Sequence, residues 1–174
     1  MLRLFTVFCT SLLLASGLFA APANYKLKAA FIYNFAKFMT WPSHSAQYAS
    51  NEITICILGQ NPFNGSFDPI IGKEIGGRKM ALRTEYYLSN MDVDSCAILY
   101  ISQEKAFNLD DIQKAVGTKP ILTVSDISNF ANQGMIEFVE KGERIRFDIN
   151  SNHVTAAHIA VSSKLLELAR KVKR

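Results

Sequence analysis

No apolar run in this 174-residue sequence is long enough to cross a bilayer as a helix. The one near the start, Leu4 to Leu18, has about 15 residues, where a span needs roughly 20. Cysteine is scarce, three in all, and Cys9 falls inside that run, leaving only Cys56 and Cys96 beyond it. The sequence has no G-x-G-x-x-G and no G-x-x-x-x-G-K-[ST], so the familiar glycine cradles for nucleotide phosphates are absent. It has no G-x-S-x-G elbow either, and Ser162-Ser163-Lys164 does not make the S-x-x-K spacing. Excess charge of one sign is also small: 19 basic and 15 acidic residues leave +4. The basic residues are dispersed except at Arg170-Lys171-Lys173-Arg174. A nucleic-acid binder shows a basic stripe with interleaved aromatics, so no nucleic-acid partner is expected, and the basic tail reads as a solvated helix end. Three histidines remain. His44 lies in a polar loop, while His153 and His158 are five apart, about 140° around a helix, and cannot face one metal together. His158 is expected near an apolar face, partly buried. Neither a metal nor a cofactor is expected.

What is present begins with an export signal. Met1-Leu2-Arg3 is a short basic start, Leu4 to Leu18 an uncharged apolar core, and Ala20-Ala21-Pro22-Ala23 a stretch of small residues for a peptidase. Residues 1–23 therefore read as a secretory signal, cut after Ala20 or Ala23, with an uncleaved anchor as the alternative. Residues 24–174 then form one domain with no membrane insertion of its own. Export places Cys56 and Cys96 in an oxidising compartment, where an even count favours a disulfide over two buried thiols. Their spacing is not that of a C-x-x-C redox pair.

Along the mature chain, Tyr25 to Trp41 has helical periodicity. Leu27, Phe31, Ile32, Phe35, Ala36, Phe38 and Met39 share a face, and Lys28 is an exception that would snorkel. Pro42 should end the helix near Trp41. Ile53 to Leu58 reads as a buried strand stopped by Gly59, followed by a short helix from Asn61-Pro62 to about Ile71. Strands are expected at Arg78–Tyr86, Cys96–Ile101 and Ile121–Val124. Between the last two lies a helix from about Gln103 to Val116, with a break near Asn108. Ser128 to Ala131 reads as a short helix. Met135–Val139 and Arg144–Ile149 form an antiparallel hairpin, and one final helix runs from His153 to Val172 with Val154, Val161, Leu165, Leu168 and Val172 on its apolar face. Alternating strands and helices imply a single three-layer α/β/α domain, its central sheet mostly parallel with the hairpin as an antiparallel edge.

Chemistry is thin. Loops at strand ends are where an open α/β sheet holds a ligand, which makes Gly59, Asn61, Gly65, Ser102 and Asp126 the residues of a small-ligand reading. Asp126 could act as a general acid or base by position, though a helix-entry carboxylate is the commoner role. The densest feature is aromatic: Tyr25, Phe31, Tyr33, Phe35, Phe38 and Trp41 lie within 17 residues. Most of these belong to a core face. Tyr33 falls among polar residues and Trp41 at the helix exit, so these two are the candidates for a partner surface.

The block Leu27 to Phe38 followed by Trp41-Pro42 resembles the opening of the YfiR/HmsC-like family of exported bacterial proteins. The resemblance continues through Ile55-Cys56-Ile57-Leu58-Gly59, Gly77-Arg78, Cys96 to Ser102 and Ile121 to Asp126. Gly134-Met135-Ile136, Arg146 to Asn150 and Ser162 to Leu166 complete it. It implies a periplasmic α/β protein with no established catalysis. Such proteins restrain an inner-membrane signalling protein, a diguanylate cyclase in the best understood cases, and through cyclic-di-GMP they affect biofilm behaviour. It also implies a Cys56–Cys96 disulfide and allows a homodimer. A second, C-terminal cysteine pair known within the family is missing here.

Overall fold

The computed structural model describes residues 23–142 and 144–174. Residues 1–22 of the expected signal lie outside them. Among the described residues, no helix is long and apolar enough to cross a membrane.

The aromatic run builds α1 (Ala23–Phe38). Ile32, Phe35 and Ala36 are sealed in the core, and Phe31 and Phe38 pack half-buried against the same cluster. The helix ends before the expected Trp41, because Met39–Thr40 (β1) pairs antiparallel with Ala160–Val161 (β9). Backbone pairing thus takes over upstream of the restriction that Pro42 imposes. A single turn, α2 (Ala46–Ala49), leads into β2 (Glu52–Leu58), whose β-branched residues are buried from Ile53 onward. Ile53, Ile55 and Ile57 enter one core, and Cys56 and Leu58 the other. This is the period-2 alternation of a strand covered on both faces.

Between Asn61 and Ile71 the expected helix is replaced by successive turns. The side-chain oxygen of Asn61 accepts the Phe63 N–H (2.9 Å), and Asn64 and Gly65 take positive φ values of 44° and 77°. Both features suit turns and interrupt a helix. Phe63, Phe67 and Ile70 nevertheless reach the core beneath α1. A short β3 (Glu74–Ile75) pairs antiparallel with β4 (Arg78–Glu85). β5 (Ile98–Ile101) is followed by a 3-10 segment, Gln103–Asn108, and α3 (Leu109–Val116), with the break where the sequence suggested it. β6 (Leu122–Ser125) and the hairpin β7 (Ile136–Lys141) with β8 (Arg144–Asn150) complete the regular core.

The expected last helix is not continuous. α4 (Ser151–Ala156) stops at His158, which is exposed with φ +56° and so closes the helix in the left-handed region. β9 follows, then α5 (Ser163–Leu168) and β10 (Lys171–Lys173). Arg170 donates through Nε to Asp148 Oδ1 (2.7 Å) and its backbone N–H donates to Phe147 O (2.8 Å). These bonds lay Lys171–Lys173 parallel to β8. The basic tail is therefore a sheet edge carrying lysines, a device that discourages edge-to-edge association, and not a helix end.

The main sheet has the order β10-β8-β7-β6-β5-β2-β4-β3. Its centre is parallel, with antiparallel pairs at β7–β8 and β3–β4. The hairpin lies inside β10 and is not itself the edge. α1, with Val154 and Leu165 from the C-terminal segments, covers one face; Ile112 and Val116 of α3 cover the other.

Cys56 and Cys96 are joined on the α3 side, with Cα atoms 5.7 Å apart across a sequence separation of 40. On the chain-entropy model such a bond contributes about 4 kcal/mol. Cys56→Ser and Cys96→Ser are expected to lower stability by about 2–5 kcal/mol and to reduce abundance. An unchanged melting temperature in both variants would contradict a structural role for the bond.

Candidate functional site at the strand ends

An open parallel sheet holds ligands where the strand order reverses. Here that place lies between the carboxyl ends of β2 and β5, since β4 sits on one side of β2 and β5-β6-β7 run away on the other. The crevice is stitched shut. Ser102 N–H donates to Leu58 O (3.0 Å), Ser102 Oγ donates to Gln60 O (2.7 Å), and the Glu104 carboxylate accepts the Gln60 N–H. Gly59 has φ +102°, and a Cβ there would strike Glu104 Oε1 and press on Lys105. Glycine is needed at this position for both reasons. Of the five loop residues marked for a ligand, Gly59 and Ser102 do come together, but for closure of the loop. Asn61 caps its own turn, and a Cβ on Gly65 would meet the Asp68 carboxylate.

Asp126 stands apart from these four, at the end of β6. Its side chain is 3% exposed, and Oδ2 accepts from Lys28 Nζ (2.5 Å) and from the Tyr25 hydroxyl (2.9 Å). Lys28 Nζ also contacts Glu140 Oε1 at 2.6 Å, and Asn24 donates to Glu140 Oε2 at 3.0 Å. The Lys28 side chain is 1% exposed and does not snorkel. Its ammonium instead lies 4.2 Å from the Tyr25 ring centroid. The Tyr25 ring meets Phe63 edge-on (5.3 Å), and Phe63 meets Tyr100 the same way (4.8 Å). Asp126 thus serves α1, and not the helix entry that its position after a strand suggested.

The electrostatics follow from burial. Desolvation alone would lower the Lys28 pKa, but the hydrogen bonds to Asp126 and Glu140 outweigh it and hold the ammonium above its usual value. Burial, then the negative charge of Asp126, raises the Tyr25 phenol, and the same causes push Tyr100 far above the ordinary phenol range. The Tyr100 hydroxyl and Asp126 Oδ1 are buried without a hydrogen-bond partner among the described residues. A cavity of about 280 Å³ opens beside the cluster, lined by Gln103, Asp126, Ser128, Phe138 and Glu140 among others. Glu137, also on its wall, spends both oxygens on the N–H groups of Asn129 and Ala131. A carboxylate held by an ammonium and a phenol anchors the start of α1 to the end of β6. Among the described residues, no group of three or more His, Cys, Asp or Glu side chains is arranged to hold a metal.

A family model described as YfiR/HmsC-like matches residues 25–170. The chain belongs to the YfiR/HmsC-like family. No curated protein matches it. The match covers the elements of this YfiR/HmsC-like protein from Tyr25 at the anchor to Arg170 at the last sheet edge, and it takes in both bonded cysteines.

The two aromatic candidates fare differently. Trp41 is 1% exposed, and its indole Nε1 lacks a partner among the described residues. The expectation that it stands at the surface is corrected: β1 pairing turns the chain inward at the helix exit. Tyr33 is half-buried on the outer side of α1, with Lys37 Nζ 5.4 Å and Lys73 Nζ 5.6 Å from its ring centroid. Lys28, Tyr25 and Tyr100 were missed as a cluster. The available signal was a lysine inside an apolar helix face, which obliges a buried carboxylate somewhere in the fold.

Lys28→Met is expected to cost about 3–5 kcal/mol, because it strands Asp126 in the core; denaturant melts give the value. Stability should also fall at alkaline pH. The folded pKa values of Lys28, Tyr25 and Tyr100 all lie above their unfolded references of 10.5 and 10.0. Their contribution is complete below pH 10 and drains away as pH rises through the folded values. A melting temperature flat across pH 9–11.5, or a Lys28→Met variant with the same alkaline profile as the parent, would count against this assignment.

Proposed function

We propose that the chain is an exported regulator without catalytic activity. Residues 1–23 act as a signal peptide, and residues 24–174 as one periplasmic domain. That domain binds and restrains the periplasmic sensing region of an inner-membrane signalling protein, a diguanylate cyclase first among the candidates. The observation that carries this reading is the family match over residues 25–170, since periplasmic control of diguanylate cyclases is the role known for the family. Mechanistically the protein need only bind one conformation of its partner more tightly than the other. A tenfold difference shifts the partner's equilibrium by about 1.4 kcal/mol, enough to set cyclic-di-GMP output and with it biofilm formation. The Cys56–Cys96 bond keeps the binding domain folded and is not itself the signal.

Two measurements test the reading. Intact mass of the protein recovered from the periplasm should correspond to a chain beginning at Ala21 or Asn24; a full-length mass would favour an uncleaved anchor. In-cell crosslinking of the oxidised protein, with Cys56→Ser/Cys96→Ser as control, should enrich one membrane protein that has a periplasmic region and a cytoplasmic GGDEF output. Recovery of no membrane protein, from folded protein at native abundance, would overturn the regulator reading.

A further inference from the structure

The outer face of α1 has an arrangement that the anchor at its other side does not require. Lys26, Tyr33 and Lys37 are separated by seven and four residues, so they form one stripe along the helix. Lys73, from the turn before β3, reaches the same ring as Lys37, and both ammoniums lie within 6 Å of the Tyr33 centroid. Lys26, Lys37 and Lys73 are exposed. None of the three has an ion-pair partner among the described residues. α1 itself contains no acidic residue, and Glu74, the carboxylate next to Lys73 in sequence, sits opposite Lys79 across β3–β4. Ile71, on the same turn as Lys73, is 40% exposed and supplies an apolar neighbour.

Two like charges gathered over one aromatic ring repel each other, and the ring face offsets only part of that cost. A carboxylate between them removes the rest. We infer that the Tyr33–Lys37–Lys73 face is where this protein docks an acidic segment of its membrane partner's periplasmic region. The inference rests on the regulator reading and adds to it the surface and the charge of what covers it. Anionic lipid is disfavoured as the occupant, because recognition of a lipid surface calls for a cluster of about four to eight basic residues. The half-buried Tyr33 is the residue type that anchors protein interfaces, and the lysines beside its ring set the sign of the charge that complements it.

The test places a photoreactive benzoyl-phenylalanine at Ala30, exposed on the same stripe between Lys26 and Lys37, in the full chain, and at Asp110 of α3 on the opposite face as a control. The expected result is an adduct at position 30 whose partner peptide, read by mass spectrometry, is rich in Asp and Glu. Its yield should fall roughly tenfold with Lys73→Glu, as charge-assisted contacts are lost, while the melting temperature stays unchanged. Adducts with a membrane protein only at position 110 would overturn this face and leave the regulator reading standing. Adducts at neither position would count against both. Cosedimentation of the purified protein with phosphatidylglycerol/phosphatidylethanolamine vesicles, abolished by Lys37→Glu, would reassign the face to lipid and overturn the proposal.

Discussion

A lysine in the wrong place organises this molecule. Lys28 sits on the apolar side of α1, and an ammonium can be buried there only if carboxylates meet it. Asp126 at the end of β6 and Glu140 on β7 do so, which fixes where the start of α1 lies over the sheet. The rest of the helix then has one way to pack. Phe35 falls onto Phe147 and Phe138 at 5.0 and 5.8 Å, and those two residues face each other across the β7–β8 ladder. Tyr25 reaches Phe63 and, through it, Tyr100. The irregular stretch between β2 and β3 is held by these aromatic contacts where helical hydrogen bonding would otherwise be expected.

The opposite face of the sheet relies on a different fastener. Cys56 on β2 is bonded to Cys96 just ahead of β5, among Leu58, Leu99, Ile112 and Val116. One side of the sheet is thus tied by charge and aromatic packing, the other by a covalent link, and β2 belongs to both cores. Such a bond persists in an oxidising compartment, while the charged side uses a buried polar group to specify how its helix docks.

How much of this was readable from residues alone depended on whether the signal was local. β2, β5, β6 and the β7–β8 hairpin were legible because their β-branched runs are bounded by Gly, Pro and polar residues. The break at Asn108 was legible for the same reason. The C-terminal segment was not. Val154, Val161 and Leu165 have helical spacing, yet β1 and β8 offer backbone partners to Ala160–Val161 and Lys171–Lys173, and a strand at those points satisfies backbone groups that are remote in sequence. Asn61 to Ile71 failed differently: Pro62 suits a helix start, but Asn61 and the Asn64-Gly65 pair favour turns, and the turns prevailed. At the candidate site, Gly59 and Ser102 lie together at the strand ends. Their use in closing the crevice depends on Glu104 reaching back to Gln60, a contact with no sequence pattern.

That closure bears on where function can reside. The position at which doubly wound sheets accept ligands is occupied here by the protein's own hydrogen bonds, and Asp126, the remaining strand-end carboxylate, is committed to Lys28 and Tyr25. Most polar groups at these strand ends are spent on the protein's own architecture, whereas the lysines around Tyr33 stand exposed on the outside. On α1 the two requirements meet in one element: its inner face carries the lysine that positions the helix, and its outer face carries Tyr33 with Lys26 and Lys37, which have no ion-pair partner among the described residues. Anything that pulled Lys28 from its carboxylates would also displace the outer stripe, because the helix is rigid over its 16 residues. The buried pair therefore sets the geometry of the exposed stripe, and a partner pressing on Tyr33 acts against a helix held by Lys28, Asp126 and Glu140. The backbone of such a surface is preorganised, so the ordering cost of binding falls on the lysine side chains.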